Sequence, residues 1–167
     1  MFFTGSAAAD GRVNVSPKGL DSLRIIDDKT VAYLDLTGSG AETAAHLQAT
    51  GRLTLMLCAF EGAPLILRLY GQGVSLPRGT DAYRALLDSA FDGQEIAGAR
   101  QIVRLDINMV QTSCGYAVPL FEFKEDRPQL VVWSERASED ELNAYRREHN
   151  TRSIDGFPTG LFRDSDA

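Results

Sequence analysis

Alternation of apolar and polar residues dominates the middle of the chain. In the run Gln101 to Met109, Val103, Leu105, Ile107 and Met109 fall on one face while Arg104, Asp106 and Asn108 fall on the other, the two-residue period of a half-buried strand. The same pattern predicts strands near Val13–Val15, Leu23–Ile26, Thr30–Leu36, Arg52–Ala59, Leu65–Val74, Leu120–Phe123 and Leu130–Trp133, seven or eight in all. Asp27-Asp28-Lys29 and Glu61-Gly62-Ala63-Pro64 read as hairpin turns, because Asp and Gly tolerate turn geometry and Pro cannot donate to a ladder. Helical signals are few. Ser39 and Glu42 have capping-box spacing ahead of Ala44, Ala45 and Leu47, with Gly51 as the stop. Tyr83, Leu86, Leu87 and Ala90 repeat at helical spacing within Asp81–Ala90, and a second capping box at Ser138 and Glu141 opens a helix to about His149. Many strands with a few interposed helices predict a mainly β fold, a closed or partly closed antiparallel barrel with helices at its openings. No repeat or low-complexity linker interrupts the pattern, so one domain over 1–167 is expected, with its C-terminal helix and tail at about 138–167.

Composition narrows the partners. A chain of 167 residues can bury a sizeable core without staples, and its net charge of -6 gives no electrostatic reason to bind nucleic acid. Cys58 and Cys114 lie far apart and belong to no metal-ligand set, which suits a reducing, cytoplasmic protein without metal. The first residues lack the positive region and apolar run of a signal peptide, and no run approaches the length of a membrane span.

Three segments combine groups that could hold a ligand. In Asn14–Gly19, alternation that turns Val13 and Val15 inward leaves Asn14 and Ser16 on the opposite face, with Pro17 fixing φ and Lys18 at the strand end. An ordinary hairpin with a solvated lysine is the simpler alternative. In Thr37-Gly-Ser-Gly-Ala-Glu-Thr43, glycines, the hydroxyls of Thr37, Ser39 and Thr43, and a coming helix N-terminus suit an anion such as phosphate. Here the competing reading is that Ser39 and Glu42 only cap the helix. Gln111-Thr-Ser-Cys-Gly-Tyr-Ala-Val-Pro119 mixes an amide, hydroxyls, a thiol and an aromatic around Gly115, as in a loop that closes over a ligand. Cys114 as a nucleophile would need a base, and both histidines, His46 and His149, fall in predicted helices. Arg68 and Arg52 are either solvated or phosphate ligands; Phe121, Phe123 and Trp133 read as core or subunit-interface residues. The tail Asn150–Leu161 is too rich in turn residues for a regular element and is expected to wrap the barrel or a partner subunit.

The motifs N-V-S-P-K-G at Asn14–Gly19, T-G-S-G-A-E-T at Thr37–Thr43, Ile66-Leu-Arg-Leu-Tyr-Gly71 and Q-T-S-C-G-Y at Gln111–Tyr116 together resemble one subgroup of the pyridoxamine 5′-phosphate oxidase-like, FMN-binding split-barrel family. The resemblance runs from about Phe2 to Leu161 and implies a Greek-key-like antiparallel split barrel, assembled as a homodimer with shared cofactor sites. It implies FMN held by Asn14, Val15, Ser16, Pro17 and Lys18 near the ring, by Thr37, Ser39 and Thr43 at the phosphate, with Arg68 as an added base, and by Gln111, Ser113, Cys114 and Tyr116 from the other subunit. It further implies oxidoreduction of a small molecule. The sequence departs from the family's oxidases in two places. Glu42 and Thr43 stand where those enzymes carry a basic pair for the FMN phosphate, and Leu87 and Phe91 follow Tyr83 where a substrate-phosphate set would have Arg and Ser. Pyridoxamine phosphate oxidation itself is therefore not the expected reaction. A non-catalytic flavin- or haem-binding barrel, a barrel without cofactor, a deazaflavin in place of FMN and a thiol hydrolase through Cys114 are the alternatives.

Overall fold

In the computed structural model, which describes residues 1–162, seven antiparallel strands form one sheet. In chain order they are β1 (Phe2–Ser6), β2 (Asn14–Lys18), β3 (Leu23–Asp27), β4 (Thr30–Leu36), β5 (Arg52–Cys58), β6 (Ile66–Pro77) and β7 (Ala99–Ser113). Four helices join them: α1 (Glu42–Ala49), α2 (Asp81–Ala90), α3 (Gln129–Arg136) and α4 (Glu139–His149). The sheet order β2-β1-β5-β6-β7-β4-β3 is Greek-key-like, with the chain leaving β4, passing through α1 and re-entering beside β1. The sheet curls into an incompletely closed barrel. Its open seam is crossed by side chains: Lys18, on edge strand β2, donates to Asp35 on β4.

Two apolar clusters follow from the strand alternation. Phe2, Val31, Tyr33, Leu53, Leu55, Leu69, Val103 and Leu105 fill the barrel, and Leu47 of α1 closes one end. Ala32, Leu34, Ala99 and Ile102 point the other way and are covered by Tyr83 of α2 and by Phe91. Hence β4 is buried on both faces, although its neighbour β3 is largely exposed.

Several expectations are corrected. β1 was not anticipated: its inward residues are Phe2, Thr4 and Ser6, too polar a set to register as alternation. Leu130–Trp133 is not a strand but lies in α3, with Trp133 packed edge-on against Tyr145 of α4; a short apolar run does not distinguish strand from helix. Leu120–Phe123 forms no strand, and Leu120, Phe121 and Phe123 are exposed. Ser39 does not cap α1: Ala41 does, with no side-chain cap bond, whereas the box at Ser138 and Glu141 forms as expected. Met109 leaves the inner face because a bulge at Asn108 shifts the register, so that Tyr70 pairs with Met109 while Gly71 pairs with Ile107. Glycine is required there, since a Cβ on Gly71 would lie 2.0 Å from the Asp106 carbonyl oxygen.

Candidate functional site

The register assigns each strand residue to a face. Val15, Gly5, Thr54, Tyr70 and Met109 form one row across five strands, and Pro17, Phe3, Met56, Arg68 and Gln111 form a second. Both rows lie on the outer face, where Val15 is 66% exposed. The orientation expected for β2 is therefore inverted. Val13 and Val15 point to solvent, while Asn14, Ser16 and Lys18 turn toward the protein. The cause is the interior they meet: Thr4, Ser6, Asp35, Thr43 and His46 are all buried and require polar partners.

These inward groups converge beside the start of α1. Asn14 donates to the Thr43 hydroxyl at 3.1 Å and to the Ser6 hydroxyl at 3.4 Å, Ser16 donates to Asn14 at 3.3 Å, and Ser6 lies 3.0 Å from His46 Nδ1. Lys18 Nζ is 2.5 Å from Asp35, which also accepts from Arg100 at 2.9 Å and from Gln101 at 2.7 Å. Burial alone would raise the Asp35 pKa. The Arg100 and Lys18 charges, with hydrogen bonds from Lys18 and Gln101, overcome that and hold its carboxyl well below the usual range. Beside it the Tyr33 phenol is pushed upward, first by burial and then by the Asp35 charge, so it stays neutral.

Asn14, Ser16, Lys18, Asp35, Thr43 and Arg100 line a cavity of about 170 Å³. The amides of Glu42, Thr43 and Ala44 precede the first helical bond, from Ala45 N–H to the Ala41 carbonyl, and so lie at the positive end of α1 beside it. Glu42 also borders the cavity, its carboxylate accepting from the Ile154 amide of the tail at 3.0 Å. A neighbouring cavity of about 260 Å³ shares Lys18 and Arg100 and adds Pro17, Leu34, Leu36 and Leu130 as largely apolar walls. The tail does wrap the barrel: Asn150 donates to the Gly38 carbonyl and Asp155 pairs with Arg12.

The sequence-derived residues separate into two groups. Asn14, Ser16, Lys18 and Thr43 meet at the first cavity, with Pro17 and Thr37 at the second. The Thr37 hydroxyl is already used, donating to the Gly98 carbonyl and accepting from Arg146, and Ser39 is exposed and lines neither cavity. Arg68, Gln111, Ser113, Cys114 and Tyr116 lie elsewhere. Gln111 on β7 is four strands from Pro17 on β2, about 19 Å along the sheet at 4.8 Å per strand. Arg68 donates to Ser113 and Tyr70 to Gln111, so this second group is a polar patch on the outer face rather than part of the cavity. Cys114 is exposed, and neither histidine serves it: His46 is bound to Ser6, and His149 packs on Tyr145. Sequence reasoning missed Asp35, Arg100 and His46. A carboxylate at Asp35 within the apolar run Tyr33-Leu-Asp-Leu36 was the available signal.

Among the described residues no group of His, Cys, Asp and Glu is arranged for a metal, and no helix is long and apolar enough to cross a membrane. No family model matches the chain. The pyridoxamine 5′-phosphate oxidase family protein ustO of Aspergillus flavus is 38% identical over 174 residues, a match spanning 95% of this chain and 70% of that protein. Among solved structures, HupZ of Group A Streptococcus superposes with a TM-score of 0.51 at 18% identity, over 68% of this chain and 84% of HupZ. An FMN-binding protein from Syntrophomonas wolfei gives 0.46 at 18% identity, over 72% of this chain and 78% of its own.

Proposed function

Because the chain belongs to the pyridoxamine 5′-phosphate oxidase family, with the family's split-barrel fold, we propose that it binds FMN and carries out flavin-dependent redox chemistry on a small molecule. One observation supports this above the others: Asn14, Ser16, Lys18 and Thr43, drawn from motifs far apart in sequence, meet in one cavity beside the N-terminus of α1. The residues fit the cofactor. Lys18, the hydroxyls and the α1 amides suit its phosphate, and the adjoining wall of Pro17, Leu34, Leu36 and Leu130 suits an apolar ring. Bound FMN would supply hydride or electron transfer. The chain's own residues do the rest: Asp35 fixes the Lys18 ammonium, Asn14 sets the Thr43 hydroxyl, and the neutral Tyr33, a member of the barrel core, lies with its ring centre 5.8 Å from Lys18 Nζ.

The balance of charge argues against a copy of the oxidase site. Lys18 and Arg100 are offset by Asp35 and Glu42 around the cavity, so phosphate binding relies on amides and hydroxyls more than on a cationic pair. We place the second group, Gln111, Ser113, Cys114 and Tyr116, at the same site of a partner chain in a homodimer. Its outer-face position and the exposed Val13, Val15 and Met109 favour such a contact. A reducing, cytoplasmic setting suits the two free cysteines.

The test is a spectrum of the purified protein followed by FMN and riboflavin titrations. A flavin band, FMN bound more tightly than riboflavin, and about ten- to hundredfold weaker FMN binding by Lys18→Ala than by Arg104→Ala are expected. Asn14→Ala provides a second variant that leaves Asp35 paired. Colourless protein indifferent to added FMN would overturn the proposal, and a cofactor with a Soret band would replace flavin by haem.

A further inference from the structure

Thr43 and His46 stand three residues apart on α1, so both side chains turn to the same side of the helix, where Thr43 meets Asn14 of β2 and His46 meets Ser6 of β1. His46 is wholly buried, yet only one of its ring nitrogens has a partner. Nδ1 lies 3.0 Å from the Ser6 hydroxyl, and Nε2 has none. The ring belongs neither to the apolar clusters nor to the cavity lining. An idle polar atom inside a protein is costly, so the bond at Nδ1 calls for a reason beyond packing.

Protons can be assigned along the chain of hydrogen bonds that starts at this ring. Ser16 donates to the Asn14 side-chain oxygen at 3.3 Å, which leaves the Asn14 amide nitrogen facing two hydroxyls, Ser6 at 3.4 Å and Thr43 at 3.1 Å. The Ser6 oxygen thus accepts, and its single proton goes to His46 Nδ1. That requires the tautomer with its hydrogen on Nε2. The other tautomer would face Ser6 with a second donor and strand the Ser6 proton as well as Nε2, two unpaired buried groups instead of one. At the far end Thr43 also accepts from Asn14, and no other hydrogen bond engages its hydroxyl among the described residues. Its proton is left for the cavity that Thr43 lines with Asn14, Ser16 and Lys18. The Tyr33 phenol beside it stays neutral and offers no negative charge to draw that proton away.

Direction matters because an amide and three hydroxyls can be turned round. With a donor at His46 Nδ1, Ser6 would give its proton to Asn14 instead, and the Asn14 amide would turn over. Its oxygen would then draw the Thr43 proton out of the cavity, leaving Thr43 lone pairs to face a phosphate. On the flavin reading of this cavity, we infer that His46 is a positioning residue: by accepting from Ser6 it holds Asn14 as a donor, aims the Thr43 hydroxyl at the phosphate, and so contributes the preference for FMN over riboflavin.

Flavin fluorescence titrations with FMN and riboflavin on the full chain test this role. His46→Leu should weaken FMN about tenfold and riboflavin less than about twofold. His46→Asn should stay within about threefold of the parent for FMN, because the asparagine oxygen stands where Nδ1 stood and can accept from Ser6. In a Thr43→Val background, His46→Leu should cost no further FMN affinity, since the hydroxyl it aims is gone. Ser6→Ala breaks the same chain without touching the ring and should repeat the His46→Leu pattern, so the test stands even if His46→Leu does not fold. The tautomer is read without flavin, from imidazole nitrogen-15 chemical shifts, with His149→Gln to assign the two histidines. Equal weakening of FMN and riboflavin, no rescue by His46→Asn, additive losses with Thr43→Val, or a proton on Nδ1 would each overturn the inference. A parent that binds neither flavin would defeat the flavin reading and the phosphate role with it. A parent that prefers FMN, with that preference intact in His46→Leu, defeats the role of His46 alone.

Discussion

The two faces of β2 reverse the usual rule for a half-buried strand. Asn14, Ser16 and Lys18 turn inward to a buried polar network, while Val13 and Val15 stand in solvent at 72% and 66% exposure. On the inward side, charges are fixed by partners on β4 and β7, with Lys18 reaching Asp35 and Asp35 held by Arg100 and Gln101. On the outward side, the apolar groups are left uncovered by the described residues. An inward polar face and an outward apolar one make sense for a strand that lines a ligand cavity with one side and offers a docking surface with the other.

The largest effect is expected from the inward face. Asp35→Ala removes the shared anion and leaves Arg100 buried and uncompensated, which should cost about 3–5 kcal/mol in urea unfolding. A loss below about 1 kcal/mol would mean that the seam is not held by this carboxylate. Acid should reveal the same group more gently. The Asp35 pKa is depressed on folding, so its contribution is complete above the ordinary carboxylate value near 4 and is lost as pH falls below it. Stability measured between about pH 5 and 2 should decline by up to about 1.4 kcal/mol per pH unit from this one group, and less steeply in Asp35→Asn. If the two proteins decline in parallel, other carboxylates account for the acid sensitivity. The outward face should respond least in the folding of one chain. Val15→Asp is expected to change unfolding free energy by no more than about 0.5 kcal/mol, yet to shift sedimentation from dimer toward monomer. A dimer unaffected by the substitution would remove this face from the interface.

How much of this was legible in the sequence depended on what each segment packs against. Strands with an apolar inner face, such as Val103 to Ile107, were plain, as was the two-residue turn after Asp27. β1 and the orientation of β2 were not, because the interior facing them is polar: Thr4 and Ser6 are buried where alternation arguments expect valine. Leu130 to Trp133 misled for the opposite reason, since β-branched apolar residues suit a strand until α4 offers Tyr145 as a packing partner. Four motif residues of the first cavity were found from the sequence. Asp35 and Arg100, which orient Lys18, were not, because pairing across 65 residues is a property of the fold rather than of local spacing.

The place of β1 has a consequence for how the protein is made. Phe2–Ser6 precedes β5 by some 45 residues of chain, yet it lies between β2 and β5, so during synthesis it must wait for Arg52–Cys58 before its second edge is filled. A nascent chain that ends before Arg52 can pair β1 only with β2 and β3 only with β4, two hairpins that are each marginal alone in water. Deleting Phe2–Ser6 would not shave an edge. It would detach β2, with Asn14 and Lys18, from the rest of the sheet.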